Sequence, residues 1–172
     1  DIDINATIDL LLNLKNLNPR LKLILGISTF VPKAHTPFQW QGVNPKAKKR
    51  LQMLNKKLSP KGIEIRPESY GWSLIQALIS RSDRRLALVF ISMKGVKNSL
   101  GNWKKAYKEV KENYNEVYPN LNMPNLPSWD EVIHENWETC RVLPWDHIEG
   151  PLKKEKLIQH QKESFSNYIT HF

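Results

Sequence analysis

Residues 21–29 read LKLILGIST, an aliphatic run that lies between Pro19 and Pro32. Apolar side chains occupy both faces of the alternating pattern over residues 23–27, which is typical of a buried strand in a parallel sheet. Parallel strands are joined by crossover connections, which are usually helices. The run therefore predicts a parallel strand with helical sequence on either side of it.

The segments that flank this run have helical patterns. Apolar residues recur at helical spacing over residues 5–18, and again over residues 44–58, where Asn44-Pro45 provides a helix start. Residues 59–62 end the second helix, and residues 62–67 (GIEIRP) alternate as a short strand. The order helix, strand, helix, strand predicts an α/β fold that passes into a mostly helical remainder.

The composition of the 172-residue chain is globular, with 40% hydrophobic and 25% charged residues. Its single cysteine, Cys140, excludes an intrachain disulfide and a metal site built from several thiolates, and we expect it to be a small buried hydrophobic side chain. The chain has no run of about 18 apolar residues and no signal peptide, so we expect a cytoplasmic protein without a membrane span. It begins with Asp1 rather than methionine, from which we expect an excised piece of a longer protein.

The loop that follows the aliphatic run, residues 28–40 (STFVPKAHTPFQW), lies at the carboxyl end of the predicted strand. Folds of the α/β class place ligand sites at that end of their strands. The loop offers hydroxyls, backbone groups, aromatic faces and a lysine, a set that suits an adenosine. The alternative is a loop held closed by its prolines, with its aromatic side chains simply buried.

Three stretches of the chain, taken in order, resemble one protein family. They are residues 28–40, residues 79–86 (ISRSDRRL) and residues 143–148 (LPWDHI). Together they are similar to the carboxyl-terminal region of radical S-adenosylmethionine (SAM) proteins. The family in question joins a cobalamin-binding-like domain to a radical SAM domain, and YgiQ-like proteins are near relatives.

The resemblance implies a fold and a division of the chain. Residues 1–43 would be the last helix, strand and loop of a partial (β/α) radical SAM barrel. Residues 44–172 would be a carboxyl-terminal, mainly helical extension with one short strand near residues 62–67, which caps the barrel. The wall of the SAM pocket would be formed by Ser28, Thr29, Phe30, Val31 and Pro32.

The resemblance also implies that the parent enzyme uses SAM and an iron–sulfur cluster. The family's Cys-x3-Cys-x2-Cys loop, which holds that cluster, is absent from this chain. The chain therefore resembles part of an enzyme that is inactive alone and whose partner is the upstream part of the same protein. Whether cobalamin is used stays open, because that domain would lie upstream.

A second feature is basic. Residues 45–67 contain eight cations and one acid, Glu64, and supply most of the chain's formal net charge of +9. Candidate contacts to RNA or another polyanion are Lys46, Lys49, Arg50 and Lys57 on the predicted helix, with Arg81, Arg84 and Arg85 at a later helix start. Such a stripe suits phosphate contact. The alternative is a solvated face on a basic protein.

The segment Pro144-Trp145-Asp146-His147 can be interpreted in two ways. Asp146 and His147 are a candidate proton-transfer pair. We favour a structural role, with Trp145 in the core, Asp146 capping the turn and His147 half exposed, since neighbours in sequence seldom bring their side chains together. The spacing of His134, Cys140 and His147 fits no zinc pattern, so no metal site and no catalytic residue is assigned.

Overall fold

The computed structural model of the protein describes residues 2–117 and 125–170. The chain is about 54% helical and has a small parallel sheet, so the predicted mostly helical α/β class is confirmed. The elements are, in chain order, α1 (Ile2–Leu17), β1 (Ile24–Ile27), α2 (Ala47–Leu58), β2 (Glu64–Pro67), α3 (Tyr70–Arg81), α4 (Leu86–Ser92), α5 (Leu100–Val117), α6 (Trp129–Ile133) and α7 (Lys154–Thr170). Within the two described ranges, no helix combines the length and the apolarity that a membrane crossing requires.

The chain divides into two compact units, of which the first comprises residues 1–30 and 44–73. Its strands β1 and β2 pair in parallel, with Ile24 opposite Glu64 and Ile27 opposite Pro67, and α2 lies in the connection between them. Gly62 ends the α2 segment at φ +74°, a left-handed conformation that favours glycine. The core of this unit contains Ile8, Leu54, Leu58 and Ile63, with Leu25, Ile27 and Ile65 packed against them.

One face of this sheet is bare. Strand alternation places Ile24 and Gly26 of β1 beside Glu64 and Arg66 of β2 on the face opposite the core, and all four residues are exposed. The side chain of Ile24 is 45% exposed. The expectation that the aliphatic run is buried on both faces is therefore wrong, because helices cover one face of the strands.

The two units do not follow the boundary predicted between residues 43 and 44. Helix α2 and strand β2, which the resemblance would place in the extension, belong to the same compact unit as α1 and β1. The intervening residues 31–43 belong to the second unit. The predicted SAM-pocket segment therefore straddles the division between Phe30 and Val31.

The second unit comprises residues 31–43 and 74–172. Its aromatic core consists of Trp40, Trp137, Leu143, Trp145 and Leu157. The segment near Trp40 is held by backbone hydrogen bonds, since the Trp137 N–H donates to the Trp40 carbonyl and the Val43 N–H to the Ile133 carbonyl, each at 2.7 Å. A Cβ at Gly42 would overlap the His134 carbonyl, so this close approach requires glycine.

Candidate functional site

The end of β1 carries the predicted SAM-pocket residues. Ser28 and Phe30 are exposed, and the Phe30 side chain is 53% accessible. Thr29 lies between them and is buried, and its hydroxyl has no hydrogen-bond partner among the described residues. Further along, Val31 is half-buried and Pro32 is buried. The segment thus presents one apolar ring to solvent and one buried hydroxyl whose hydrogen-bonding capacity is unused.

The basic residues of α2 form an exposed cationic surface that includes most of the predicted contacts. Lys48, Lys49 and Lys56 are exposed on the side away from the core. Arg50 is half-buried, and Met53, which lies between Arg50 and Lys57 in the sequence, packs against the core cluster. Of the four cations predicted on this helix, Lys46, Lys49 and Lys57 are therefore exposed and Arg50 is half-buried.

The lysines on and beside α2 have no acidic side chain paired with them in the part of the chain that the structure describes. Lys46, Lys49 and Lys57 are exposed, and none has a carboxylate within ion-pair distance among the residues that the structure describes. The single acid of this stretch, Glu64, accepts a hydrogen bond from Arg66 at 2.7 Å and lies 3.8 Å from the Lys22 ammonium. Glu64 is therefore committed to other cations.

Arg81 is not an available surface cation, which corrects its assignment as a polyanion contact. Its side chain is 1% exposed and donates hydrogen bonds to the carbonyls of Val132 (2.7 Å) and Glu135 (2.9 Å). Its guanidinium also lies 3.8 Å from the ring centroid of Trp137. Burial and the charge of Arg141 lower the pKa of Arg81 to about 10, a value at which it stays protonated at neutral pH.

Arg85 is also committed within the protein. Its guanidinium binds both carboxylate oxygens of Asp83, with one contact at 2.6 Å, and donates to the Asn125 carbonyl. Burial by itself raises the pKa of Asp83, but the hydrogen bonds and charge of Arg85 outweigh it and hold that pKa below its usual range. Arg84, by contrast, is exposed. Of the three predicted arginines, the structure leaves Arg84 facing solvent.

The turn at residues 143–148 has the structural role that we favoured. Trp145 is 8% exposed in the aromatic core, and Asp146 accepts a hydrogen bond from the Leu143 N–H at 2.9 Å. The second partner of Asp146 is the Lys154 ammonium, at 2.9 Å, and not His147. His147 is exposed. The proton-transfer pair is therefore not formed.

Two of the resembling stretches meet at this turn. A cavity of about 600 Å³ is lined by Ser82, Asp83 and Arg84 from one stretch and by Pro144, Trp145 and His147 from the other. The Ser82 hydroxyl is buried and has no hydrogen-bond partner in the described part of the chain. The fold thus brings residues some sixty positions apart to one surface depression, which sequence spacing gave no means of predicting.

The prediction for Cys140 is wrong, because its side chain is exposed. Within residues 2–117 and 125–170, no three His, Cys, Asp or Glu side chains are arranged to hold a metal ion. His134 instead donates from Nδ1 to the Val43 carbonyl at 2.7 Å. With one cysteine in the whole sequence, the residues of this chain do not fit an iron–sulfur cluster.

A comparison with known proteins finds a similarity over part of the chain. The chain is similar to an uncharacterized protein of Methanocaldococcus jannaschii, with 26% identity over 66 residues, which are 38% of this chain and 15% of that protein. No protein family and no solved structure matches the chain. The match covers a small part of a longer relative whose name states no activity.

Proposed function

We propose that this chain is part of a radical SAM iron–sulfur enzyme and supplies the last strands of its barrel. The observation that carries the proposal is the β1–α2–β2 arrangement, in which two parallel strands have helices on one face and a bare opposite face. A (β/α) barrel places its helices outside the strands, whereas a doubly wound sheet is covered on both faces. The bare face would then line the barrel interior.

The residues that would contact SAM are those at the end of β1. The carboxyl ends of parallel strands are where this fold class binds ligands. The exposed ring of Phe30 provides an apolar surface for the adenine, and Thr29, whose hydroxyl is buried within the chain, would contribute through its backbone atoms. Ser28, Val31 and Pro32 complete the proposed wall through backbone atoms.

The cluster belongs, in this proposal, to residues outside this chain. When bound, an iron–sulfur cluster would supply the electron for reductive cleavage of SAM. This chain contributes the adenosine wall and, through its helical extension, a cover that keeps water from a radical intermediate. A cytoplasmic location is part of the same proposal, since thiolate-bound clusters suit reducing compartments.

The test uses the full open reading frame that contains this chain, reconstituted with iron and sulfide under anaerobic conditions. We expect cluster absorbance and reductive cleavage of SAM. Phe30→Ala should raise the KM for SAM, while the matched control Ile91→Ala, at an exposed apolar residue of α4, should leave it unchanged. A full-length protein with neither cluster absorbance nor SAM cleavage rules the proposal out.

A second candidate function is binding of RNA or another polyanion through α2. The observation that favours it is the group of exposed lysines on and beside α2 that have no carboxylate partner among the described residues. Phosphates would replace the missing counter-charges, and binding would release counterions from the nucleic acid. The candidate surface comprises Lys46, Lys48, Lys49, Lys56 and Lys57, with half-buried Arg50 at its edge.

Filter binding of single-stranded RNA against salt concentration tests this candidate. Replacing Lys48, Lys49 and Lys56 by glutamine should reduce the slope of log K against log salt by about two, because each phosphate contact contributes about 0.7 for single strands. The matched control removes three exposed lysines elsewhere, with Lys105→Gln, Lys108→Gln and Lys162→Gln. Equal slopes for the two triple variants would exclude α2 as the binding surface.

A further inference from the structure

The second unit contains a cavity of about 690 Å³ beside the 143–148 turn, on a different set of residues from those proposed to bind SAM or RNA. Its walls include His35, Gln39, Asp146, Glu149, Lys153 and Leu157. The cavity therefore combines hydrogen-bond donors, charges of both signs and an apolar floor. Small-molecule sites have this composition, with a few placed polar groups among apolar ones.

Gln39 is the buried polar side chain of this cavity. It is 2% exposed, and its Oε1 accepts hydrogen bonds from the backbone N–H of His35 (2.9 Å) and the indole N–H of Trp145 (2.7 Å). Both partners can only donate at these atoms, so the orientation of the amide is fixed. The Nε2 group, which has two protons to donate, is the end of the Gln39 amide that neither of these hydrogen bonds uses.

No described residue accepts a hydrogen bond from Gln39 Nε2. That atom is not among the fully buried unpartnered atoms of the described residues, so it reaches solvent, and Gln39 lines this cavity. An amide held rigidly at one end by two hydrogen bonds and unused at the other is an oriented donor. It requires an acceptor, which water or a ligand oxygen would provide.

Lysines at the start of α7 add positive charge to the same cavity. Lys153 and Lys154 precede and begin this helix, where cations oppose the helix dipole and do not stabilise the helix locally. Lys154 is committed to Asp146 (2.9 Å) and to the Arg141 carbonyl (3.2 Å). Lys153 is exposed and has no carboxylate within ion-pair distance in the described part of the chain.

His35 also lines the cavity, and its backbone has a left-handed conformation. Its φ is +56°, which is uncommon for a residue other than glycine. A Cβ at Gly150 would overlap the His35 ring, so Gly150 allows the imidazole to approach the backbone there. The absence of a side chain at Gly150 therefore leaves room for the His35 ring at the cavity.

We propose that this cavity binds a small organic oxyanion. The oxyanion, a carboxylate or a phosphate group, would accept hydrogen bonds from Gln39 Nε2 and the Lys153 ammonium at the amino end of α7. The apolar part of the ligand would pack against Leu157 and its neighbours. The site does not depend on the proposed SAM or RNA functions, since it uses none of their residues.

Titration of the ¹⁵N-labelled chain, followed by NMR, tests the proposal at constant ionic strength. The probes are sodium phosphate and sodium butyrate, each compared with sodium chloride, and the readout is the side-chain amide signal of Gln39. We expect a saturable shift with at least one probe. Saturation with phosphate alone, with butyrate alone or with both identifies the preferred head group, and saturation with neither overturns the proposal.

Three variants separate binding from general charge effects. Lys153→Ala should weaken binding about tenfold, whereas the control Lys162→Ala, an exposed lysine further along α7, should not change it. Gln39→Glu keeps an acceptor for the His35 and Trp145 N–H groups but replaces the donor with a like charge, and should abolish binding. If that variant does not fold, the Lys153 and Lys162 pair decides, and equal affinities for those two overturn the proposal.

Discussion

Arg81 is a buried cation without a carboxylate partner among the described residues. Its guanidinium instead contacts two carbonyl oxygens and the face of an aromatic ring. Arg81→Met should lower the free energy of unfolding by about 2–4 kcal/mol, because it removes two charge-assisted hydrogen bonds and leaves the buried Val132 carbonyl unpaired. Urea denaturation measures the change. The effect belongs to the contacts of the guanidinium rather than to loss of a surface charge.

The neighbouring Arg84 provides the control for Arg81. Arg84 is exposed, so Arg84→Met should change the free energy of unfolding by no more than about 0.5 kcal/mol. Arg81→Lys keeps the charge but lacks the planar fork that reaches Val132 and Glu135 together, so it should remain clearly destabilised. An Arg81→Met variant as stable as Arg84→Met would contradict the structural role.

The lowered pKa of Asp146 predicts that the stability of the protein depends on pH. Burial alone would raise its pKa, but hydrogen bonds from the Leu143 N–H and Lys154, with the charges of Lys154 and His35, outweigh that effect and lower the pKa. A carboxylate whose pKa is lowered by folding makes its full contribution to stability at pH values above its unfolded pKa, which is about 3.9 for Asp. That contribution is lost as the pH falls through the folded pKa.

Asp146→Asn tests this dependence through melting temperatures measured between neutral and acidic pH. The variant should melt below the wild type at neutral pH, and the difference should disappear at pH values below the folded pKa of Asp146. Asp9→Asn, at an exposed residue of α1 without an ion pair among the described residues, serves as the control. A gap between Asp146→Asn and the wild type that persists unchanged at low pH would show that packing, not ionisation, causes it.

Residue-level properties were the least predictable from the sequence. Trp145 could be assigned to the core from its type alone, and it is buried. The exposure of Cys140 and the burial of Arg81 run against the preferences of those residue types, and only their tertiary neighbours explain them. Gln39 was missed for the same reason, since no local pattern marks a polar side chain that binds a tryptophan more than a hundred residues away.

At the scale of elements, the sequence predicted secondary structure correctly where several local signals agreed. The aliphatic run and residues 62–67 contain the two parallel strands, and residues 59–62 end the second helix as expected, with Gly62 in a left-handed conformation. Helix α6 is short and ends at Ile133. There the Trp137 backbone N–H bonds to Trp40 and its indole N–H bonds back to Glu131, so tertiary contacts replace further helical turns.

Helix α2 holds the first unit together through Leu58, which is fully buried against the strands. Leu58→Ala should cost about 2–4 kcal/mol through lost burial and a residual cavity. Hydrogen exchange should accelerate over α1, β1, α2 and β2, and much less over α5, because the second unit has its own aromatic core.

The control for Leu58 is Leu17→Ala. Leu17, at the end of α1, is 84% exposed, so its truncation should leave both stability and exchange nearly unchanged. Equal acceleration over both units in Leu58→Ala would mean that the chain unfolds as a single cooperative body. Acceleration confined to the first unit would mean that the two compact units are also separate units of stability.

At the scale of the whole molecule, the small sheet has edges and one face that the described residues leave uncovered. A two-stranded sheet leaves one hydrogen-bonding edge of each strand unpaired within the described chain, and its bare face carries the half-exposed Ile24. Open edges and uncovered apolar faces promote association. We therefore expect the isolated 172-residue chain to self-associate as its concentration rises, as measured by sedimentation velocity.

Ile24→Lys places a charge on the bare face and should shift the chain toward monomer. Ile91→Lys, at a residue of α4 that is 65% exposed, makes the same chemical change elsewhere and should not. If the proposed barrel is correct, adding the upstream part of the protein should suppress association as Ile24→Lys does, because further strands would pair with the open edges. A chain that stays monomeric at all concentrations would instead mean that the open edges and the bare face of this sheet do not promote association. The main support for a barrel fragment would then be lost.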